Sequence, residues 1–237
     1  MKPRYDRIFA DSKEFIPRLR FEDADANLRY FSQPYSEQIA LINALDDPKV
    51  RTVVVLKPRQ IGITTANCAH TFWATYCASK PLRTIVAADH NKTTKSIFKK
   101  FCTYYNHLPK VLKDANPFKM NQNDKTLMSE RTDALIDHMT ARGDTHGRGW
   151  TYQRFVAEEL AFWPHPEEVW AGIRSTLHGG ADSKIIVIST PNGPGNFYHE
   201  RVLAAQLAER TGDTSTKFIF SRWSDHSTYR LQPPAGW

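Results

Sequence analysis

A run of β-branched residues that leads straight into a glycine-containing loop is the feature that most restricts how this chain folds. The run, Thr52–Leu56, is almost continuously apolar, which is typical of a parallel strand buried on both faces. Behind the loop at residues 57–65, apolar side chains recur at helical spacing between positions 66 and 76. The segment therefore predicts a buried strand, a tight connection and a helix packed on a sheet.

The same alternation of strands and helices continues along the chain. Further strands are expected at residues 84–88, 154–157, 184–189 and 217–220, and helices at 35–45, 92–105, 167–176 and 197–210. A hairpin at 126–129 and 134–139, after a polar loop at 116–124, is expected to decorate the sheet. Such alternation predicts an α/β fold with a mostly parallel sheet flanked by helices.

Composition excludes several classes of protein. The chain has 237 residues, of which 41% are hydrophobic, and this is enough for one sizeable core and argues against a disordered chain. Its three cysteines show no C-x-x-C spacing, so no zinc site is predicted and a reduced, intracellular compartment is expected. No stretch reaches the roughly 18 apolar residues that a membrane span needs.

Charge gives a weaker indication of partners. The formal charge of +7 favours polyanionic partners, although ordinary solubility charge is a competing explanation. One stretch is rich in lysine: Lys92, Lys95, Lys99, Lys100, Lys110 and Lys113. A solvated helix face is the favoured interpretation of that stretch, so the sequence does not locate a nucleic-acid contact.

The loop after the first buried strand is suited to binding phosphate. A strand, a short loop and a helix N-terminus present backbone N–H groups to an anion. Against the pattern G-x-x-x-x-G-K-[ST], Gly62 and Thr64 match, whereas Lys57 stands at the first glycine and Ile63 at the lysine. Lys57 and Arg59 are the candidates for the missing cation. The loop alone fits a plain strand-to-helix connection about as well.

Two further strand ends carry polar residues. Glu158 and Glu159 follow a predicted strand, as a Mg²⁺-binding acid and a water-activating base would in an NTPase. Asp is more usual at the first of these positions, and two solvated carboxylates that cap a helix are the competing interpretation. The second end, Ser189 to Gly193, suits a γ-phosphate sensor but is also a good turn sequence.

Together and in this order, these segments resemble the ATPase domain of the large terminase subunit of tailed bacteriophages. The resemblance covers most of the chain. Four segments carry it: residues 34–38, like the adenine-side Q motif; 59–64, like the phosphate loop; Arg148-Gly149 with 155–163, like the Walker B strand; and 189–193, like the coupling motif.

The resemblance implies a P-loop NTPase fold of the RecA-like, additional-strand (ASCE) type. Residues 34–195 would form the ATPase core, preceded by an N-terminal arm at 1–33. Residues 196–237 would form a small C-terminal lid subdomain and the exit towards a nuclease domain. We expect no nuclease activity from this chain.

The resemblance also assigns roles to individual residues. Glu159 would be the general base, and Arg148 would be the arginine finger given to a neighbouring subunit, with Arg142 as its competitor. Thr64 and Glu158 would hold Mg²⁺. The residues expected to bind ATP are Tyr35, Gln38, Lys57, Arg59, Gln60, Gly62, Ile63, Thr64, Thr65, Ser189, Thr190 and Asn192.

The implied function is ATP hydrolysis that translocates double-stranded DNA into a procapsid. The implied partners are a portal protein, a small terminase subunit and further copies of the chain in a ring, with no membrane, in the host cytoplasm. Two alternatives stay open. Ile63 and Glu158 favour a pseudo-ATPase or nucleic-acid-binding assembly module, and another P-loop DNA motor of the helicase or recombination type is the second alternative.

Overall fold

The computed structural model describes residues 8–142, 150–180 and 183–225. The strands in these ranges are β1 Arg20–Glu22, β2 Leu28–Tyr30, β3 Thr52–Leu56, β4 Arg83–Ala88, β5 Phe118–Asn121, β6 Thr126–Ser129, β7 Leu135–Thr140, β8 Arg154–Glu158, β9 Lys184–Ser189 and β10 Thr216–Phe220. The α-helices are α1 Ser12–Phe15, α2 Ser36–Asp46, α3 Ile63–Tyr76, α4 Asn91–Asn106, α5 Lys110–Ala115, α6 Pro166–Thr176 and α7 Phe197–Arg210. None of these helices is long and apolar enough to cross a lipid bilayer.

Eight strands form one mixed sheet in the order β10-β3-β9-β8-β4-β7-β6-β5. The first six of these run parallel, and only the β7-β6-β5 end is antiparallel. Strand β9 lies between β3, which leads into the loop at 57–65, and β8, which ends in Glu158. This inserted strand is the arrangement expected of the additional-strand fold, and the predicted fold class is confirmed.

The sheet extends further than the sequence indicates. β7 pairs in parallel with β4, with Arg83 opposite Leu135, so it is an integral strand and the expectation that the hairpin only decorates the sheet is wrong. The predicted polar loop at 116–124 contains β5, which pairs with β6. Both errors concern pairing between distant segments, which local alternation of polar and apolar residues does not specify.

The N-terminal segment packs into the core. Phe15, Ile16, Leu19 and Phe31 are each at most 4% exposed, and they lie against residues of α3 and α4 in one apolar cluster. The expected boundaries at residues 33 and 195 stay predictions. β10, which lies beyond the second boundary, pairs with β3 in the main sheet.

The two faces of the sheet carry separate cores. Along β3, Val53 and Val55 belong to the cluster under α2, α3 and α4, whereas Val54 belongs to the cluster under α6 and α7. Along β8, Val156 and Phe155 divide between the two clusters in the same way. Burial on both faces explains why the parallel strands are almost continuously apolar.

Two histidines are buried within the cluster under α3 and α4. His70 Nε2 lies 3.1 Å from Asp46 Oδ1, and Ser12 Oγ donates to the other carboxylate oxygen at 2.7 Å. His138 Nδ1 donates to the Lys125 carbonyl at 2.7 Å. Burial lowers the pKa of each imidazole to about 4, because the charged form is poorly solvated there. Both rings are therefore neutral at pH 7.

Candidate functional site

The carboxyl ends of four neighbouring parallel strands, β3, β9, β8 and β4, meet at one edge of the sheet. A cleft of about 440 Å³ opens there between the loop at 57–65 and the start of α4. Nine of the residues predicted from the sequence line it: Lys57, Arg59, Gln60, Gly62, Ile63, Thr64, Thr65, Glu159 and Thr190. The fold therefore brings the loop, the acid segment and the strand tip at 190 into one site.

The loop turns sharply before α3. Gln60 and Gly62 both have left-handed backbones, with φ of 59° and 71°, and α3 begins at Ile63 directly afterwards. The N-terminus of this 14-residue helix therefore faces the cleft, where its free N–H groups and dipole favour an anion.

Gln38 lies behind this loop rather than in the cleft. Its Nε2 donates to the Ile61 carbonyl at 3.2 Å, its Oε1 accepts from Tyr35 N at 3.0 Å, and the residue is 5% exposed. Tyr35 is 42% exposed and does not line the cleft either. In this structure Gln38 supports the phosphate loop from α2, and the adenine-side role of both residues stays a prediction.

Gly62→Ala is expected to lower the free energy of unfolding by about 2 kcal/mol. A Cβ at Gly62 would lie 2.2 Å from Gln38 Nε2, so the bond from Gln38 to Ile61 would break, and the left-handed backbone adds roughly 1–2 kcal/mol. Urea unfolding measures the loss. In a Gln38→Ala background the same substitution should cost less, since the clash is gone; an equal cost in both backgrounds would contradict this explanation.

Glu158 is buried beneath the loop, with 1% of its surface exposed. Thr64 Oγ1 donates to its Oε2 at 3.0 Å, and Asn67 Nδ2 to its Oε1 at 3.5 Å. Burial raises the pKa of Glu158 to about 7, and the nearby charge of Lys57 limits that rise. The predicted pair Thr64 and Glu158 is therefore in direct contact.

A Mg²⁺ site at Thr64 and Glu158 is compatible with the residues present. A hydroxyl and a carboxylate oxygen, 3.0 Å apart, are the hard oxygen ligands that Mg²⁺ prefers. Within the part of the chain that the structure describes, no group of three or more His, Cys, Asp or Glu residues could hold a metal. A site of few protein ligands suits Mg²⁺, which takes its remaining ligands from water and phosphate.

Glu159 lines the cleft. Its backbone is left-handed, with φ of 55°, and its side chain is 24% exposed, whereas Glu158 is buried. Lys57 Nζ donates to its Oε1 at 2.8 Å, while the backbone N–H and the hydroxyl of Thr190 donate to its Oε2 at 3.2 and 3.3 Å. The ends of β3, β8 and β9 thus hold one carboxylate together.

The strand end at 189–192 is tied to the acid segment. Ser189 Oγ accepts from Ala161 N at 3.2 Å, and Asn192 Nδ2 donates to the Ala161 carbonyl at 3.0 Å. Trp163, which is 5% exposed, donates from its indole N–H to the Glu158 carbonyl at 3.0 Å. The first two of these hydrogen bonds join the two segments.

Several cleft residues were missed from the sequence. Asp89, His90, Thr93, Lys100 and Phe162 line the cleft opposite the phosphate loop or beside Glu159. The first two directly follow a predicted parallel strand, and that position was the available signal. The others lie on α4 or on the turn after Glu159, where only the fold brings them to the site.

The predicted arginine-finger candidates and the lysine-rich stretch have different outcomes. Arg142 is exposed just after β7, and Arg148 lies outside the described residues. Of the lysine-rich stretch, Lys99 forms an ion pair with Glu22 at 2.6 Å. The roles of Arg142 and Arg148 stay predictions.

Comparison with known proteins identifies relatives of this architecture. Residues 54–231 match the family described as terminase large subunit, T4likevirus-type, N-terminal. No curated protein matches the sequence. Among solved structures, the ATPase domain of the large terminase of Thermus phage P74-26, in mutant form, is 16% identical with a TM-score of 0.62, over 80% of this chain and 81% of that one.

Two further solved structures are longer. The large terminase of bacteriophage HK97 gives a TM-score of 0.70 at 14% identity, over 94% of this chain and 45% of that one. The large terminase of thermophilic bacteriophage D6E in complex with ADP gives 0.53 at 12% identity, over 78% and 44%. This chain spans less than half of each, and likeness at these identities establishes the shared fold.

Proposed function

Because the chain belongs to the terminase large subunits of the T4-like-virus type, in their N-terminal region, we propose that it is an ATP-hydrolysing motor that packages double-stranded DNA into a procapsid. The observation that carries the proposal is the division of labour between two consecutive carboxylates. Glu158 contacts Thr64 at the start of α3, whereas Glu159 faces the cleft beside Lys57.

In the proposed reaction, water attacks the γ-phosphorus of ATP and the bond to the bridging oxygen breaks, giving ADP and phosphate. Glu159 accepts the proton from that water. Its hydrogen bonds from Lys57 and Thr190 fix the direction of the carboxylate, so it needs little reorganisation during reaction. The loop N–H groups and the N-terminus of α3 hold the phosphates.

We further propose that Thr64 and Glu158 hold Mg²⁺ with the bound nucleotide. When bound, Mg²⁺ neutralises charge on the phosphate oxygens. Asn67 and Thr64 orient the Glu158 carboxylate towards α3, so that this acid is placed before nucleotide arrives. The longer side chain of Glu, in place of the usual Asp, is accommodated by its burial beneath the loop.

The test is steady-state ATP hydrolysis with Mg²⁺, with and without double-stranded DNA, followed by phosphate release. We expect turnover, and a faster rate with DNA, whose backbone a motor grips without regard to sequence. Nucleotide binding without turnover, with or without DNA, would favour the pseudo-ATPase alternative. The observation that specifically favours that alternative is Ile63 at the usual position of the phosphate-binding lysine. Absence of nucleotide binding would refute the phosphate-loop assignment.

We propose that copies of the chain act as a ring, with Arg148 as the finger supplied to the neighbouring site. In the wild type, specific activity should then rise with protein concentration as subunits associate. Arg148→Ala should remove that rise, whereas Arg142→Ala should keep it. The reverse result would make Arg142 the finger, and a flat profile in the wild type would contradict supply in trans.

The wider setting of the proposal is the packaging machinery. A motor of this kind would dock on a portal protein and receive DNA through a small terminase subunit, in the host cytoplasm. Co-sedimentation of the chain with a cognate portal would test the first of these contacts. ATP turnover measured with and without portal would test whether that contact affects hydrolysis.

A further inference from the structure

The phosphate loop has two cations, Lys57 and Arg59, and neither stands at the usual position of the phosphate-binding lysine. Ile63 stands where a phosphate-binding lysine is usual. Lys57 is 7% exposed and already donates to Glu159 at 2.8 Å. If Lys57 moved fully to a phosphate, Glu159 would lose its closest charged partner. Arg59 also lines the cleft, and a further cation there would let Lys57 stay with Glu159 while phosphate charge is neutralised.

Helix α4 places a lysine at that position. Tyr104 Oη donates to the carbonyl of Thr65, in the first turn of α3, at 3.0 Å. Lys100 lies one helical turn before Tyr104 and therefore on the same face of α4. It lines the cleft together with Gln60, Gly62 and Thr64. The side chain thus extends from α4 towards the phosphate loop.

The charge of Lys100 is not used elsewhere in the described structure. Lys100 is half-buried and has no hydrogen bond or ion pair within residues 8–142, 150–180 and 183–225. Its neighbour Lys99 differs, because it is exposed and pairs with Glu22 at 2.6 Å. Burial raises the pKa of the Cys68 thiol on α3, and Lys100 is close enough for its charge to oppose that rise.

We propose that Lys100 is a phosphate-binding cation additional to those of the loop, and that it reaches the triphosphate of the nucleotide from α4. The inference rests on the proposed function, since it needs a nucleotide in the cleft. It assigns different tasks to the two lysines. Lys57 holds Glu159, and Lys100 neutralises phosphate charge.

The test is calorimetric titration of the whole chain with Mg-ATPγS. Lys100→Ala should weaken binding by about tenfold or more, the value of one charge-assisted hydrogen bond. Lys100→Arg should restore most of the affinity, and Lys99→Ala is the matched control that should bind like the wild type. Inorganic tripolyphosphate, which has no adenine, should compete with Mg-ATPγS in the wild type and at least tenfold less well in Lys100→Ala.

Equal affinity of Lys100→Ala and wild type for Mg-ATPγS would overturn the inference while leaving the proposed function intact. Failure of the wild type itself to bind Mg-ATPγS would overturn both. Circular dichroism of each variant checks that α4 is preserved. A loss in Lys100→Ala that Lys100→Arg does not restore would also overturn the inference, because charge would then not be the cause.

Discussion

Glu159→Gln is expected to lower ATP turnover by about 10²–10⁴-fold, which is the usual contribution of a positioned general base. Gln keeps the size of the side chain and can accept a hydrogen bond from Thr190, but it cannot take up a proton from the attacking water. Affinity for Mg-ATPγS should change by only a few-fold, since the loop and α3 are intact. Phosphate release and calorimetric binding, measured side by side, separate the two effects.

The matched control is Glu168→Gln, a substitution of the same kind on the exposed first turn of α6. It should leave turnover unchanged. Wild-type turnover in Glu159→Gln would show that another group accepts the proton. Asp89 would then be examined first, because it lines the same cleft and its Oδ1 is buried without a hydrogen-bond partner in the described structure.

Between pH 7.5 and pH 5, the loss in the free energy of unfolding is expected to be about 4 kcal/mol smaller when both buried histidines are replaced. For His70 and His138 the folded pKa, about 4, is below the unfolded value of 6.5. Between these values the unfolded chain binds more protons than the folded one. The contribution of each histidine to stability is therefore fully present above pH 6.5 and is lost as the pH falls towards 4. At pH 5 each histidine accounts for about 2 kcal/mol.

Urea unfolding of the His70→Gln/His138→Gln variant and the wild type at pH 7.5 and pH 5 tests this. The pH dependence of the double variant must be compared with that of the wild type, because Glu158 changes stability with pH in the opposite direction in both proteins. Its folded pKa is raised to about 7, which adds stability as the pH falls. His165→Gln, at an exposed position, is the control and should behave like the wild type. Equal pH differences in the wild type and the double variant would refute the assignment.

The parts of the fold that local sequence determines were predictable. The β-branched run at Thr52–Leu56 and the glycine at Gly62 fix a buried strand and a left-handed turn with little help from the rest of the chain. Glu158 and Glu159 were predicted as site residues because they follow a strand, and the carboxyl ends of parallel strands meet at one edge of a sheet. Their different surroundings, one in contact with α3 and the other in the cleft, depend on the elements packed around them, which the sequence does not indicate.

The parts that depend on distant contacts were not predictable. β7 is central only because Leu135 pairs with Arg83, more than fifty residues earlier. Gln38 lies under the phosphate loop because its amide reaches Ile61. Lys100 was counted as one of six lysines, and only the packing of α4 on α3 distinguishes it from Lys99.

The hydrogen bond from Trp163 to the Glu158 carbonyl has an optical consequence. Indole emission responds to the polarity around the ring, and this ring is buried directly behind the acid strand. The chain has six tryptophans, so replacing the other five by Phe would leave Trp163 as the one indole fluorophore. Its emission wavelength would respond to changes in the site. Such a protein would signal the arrival and departure of nucleotide in real time, without any attached dye.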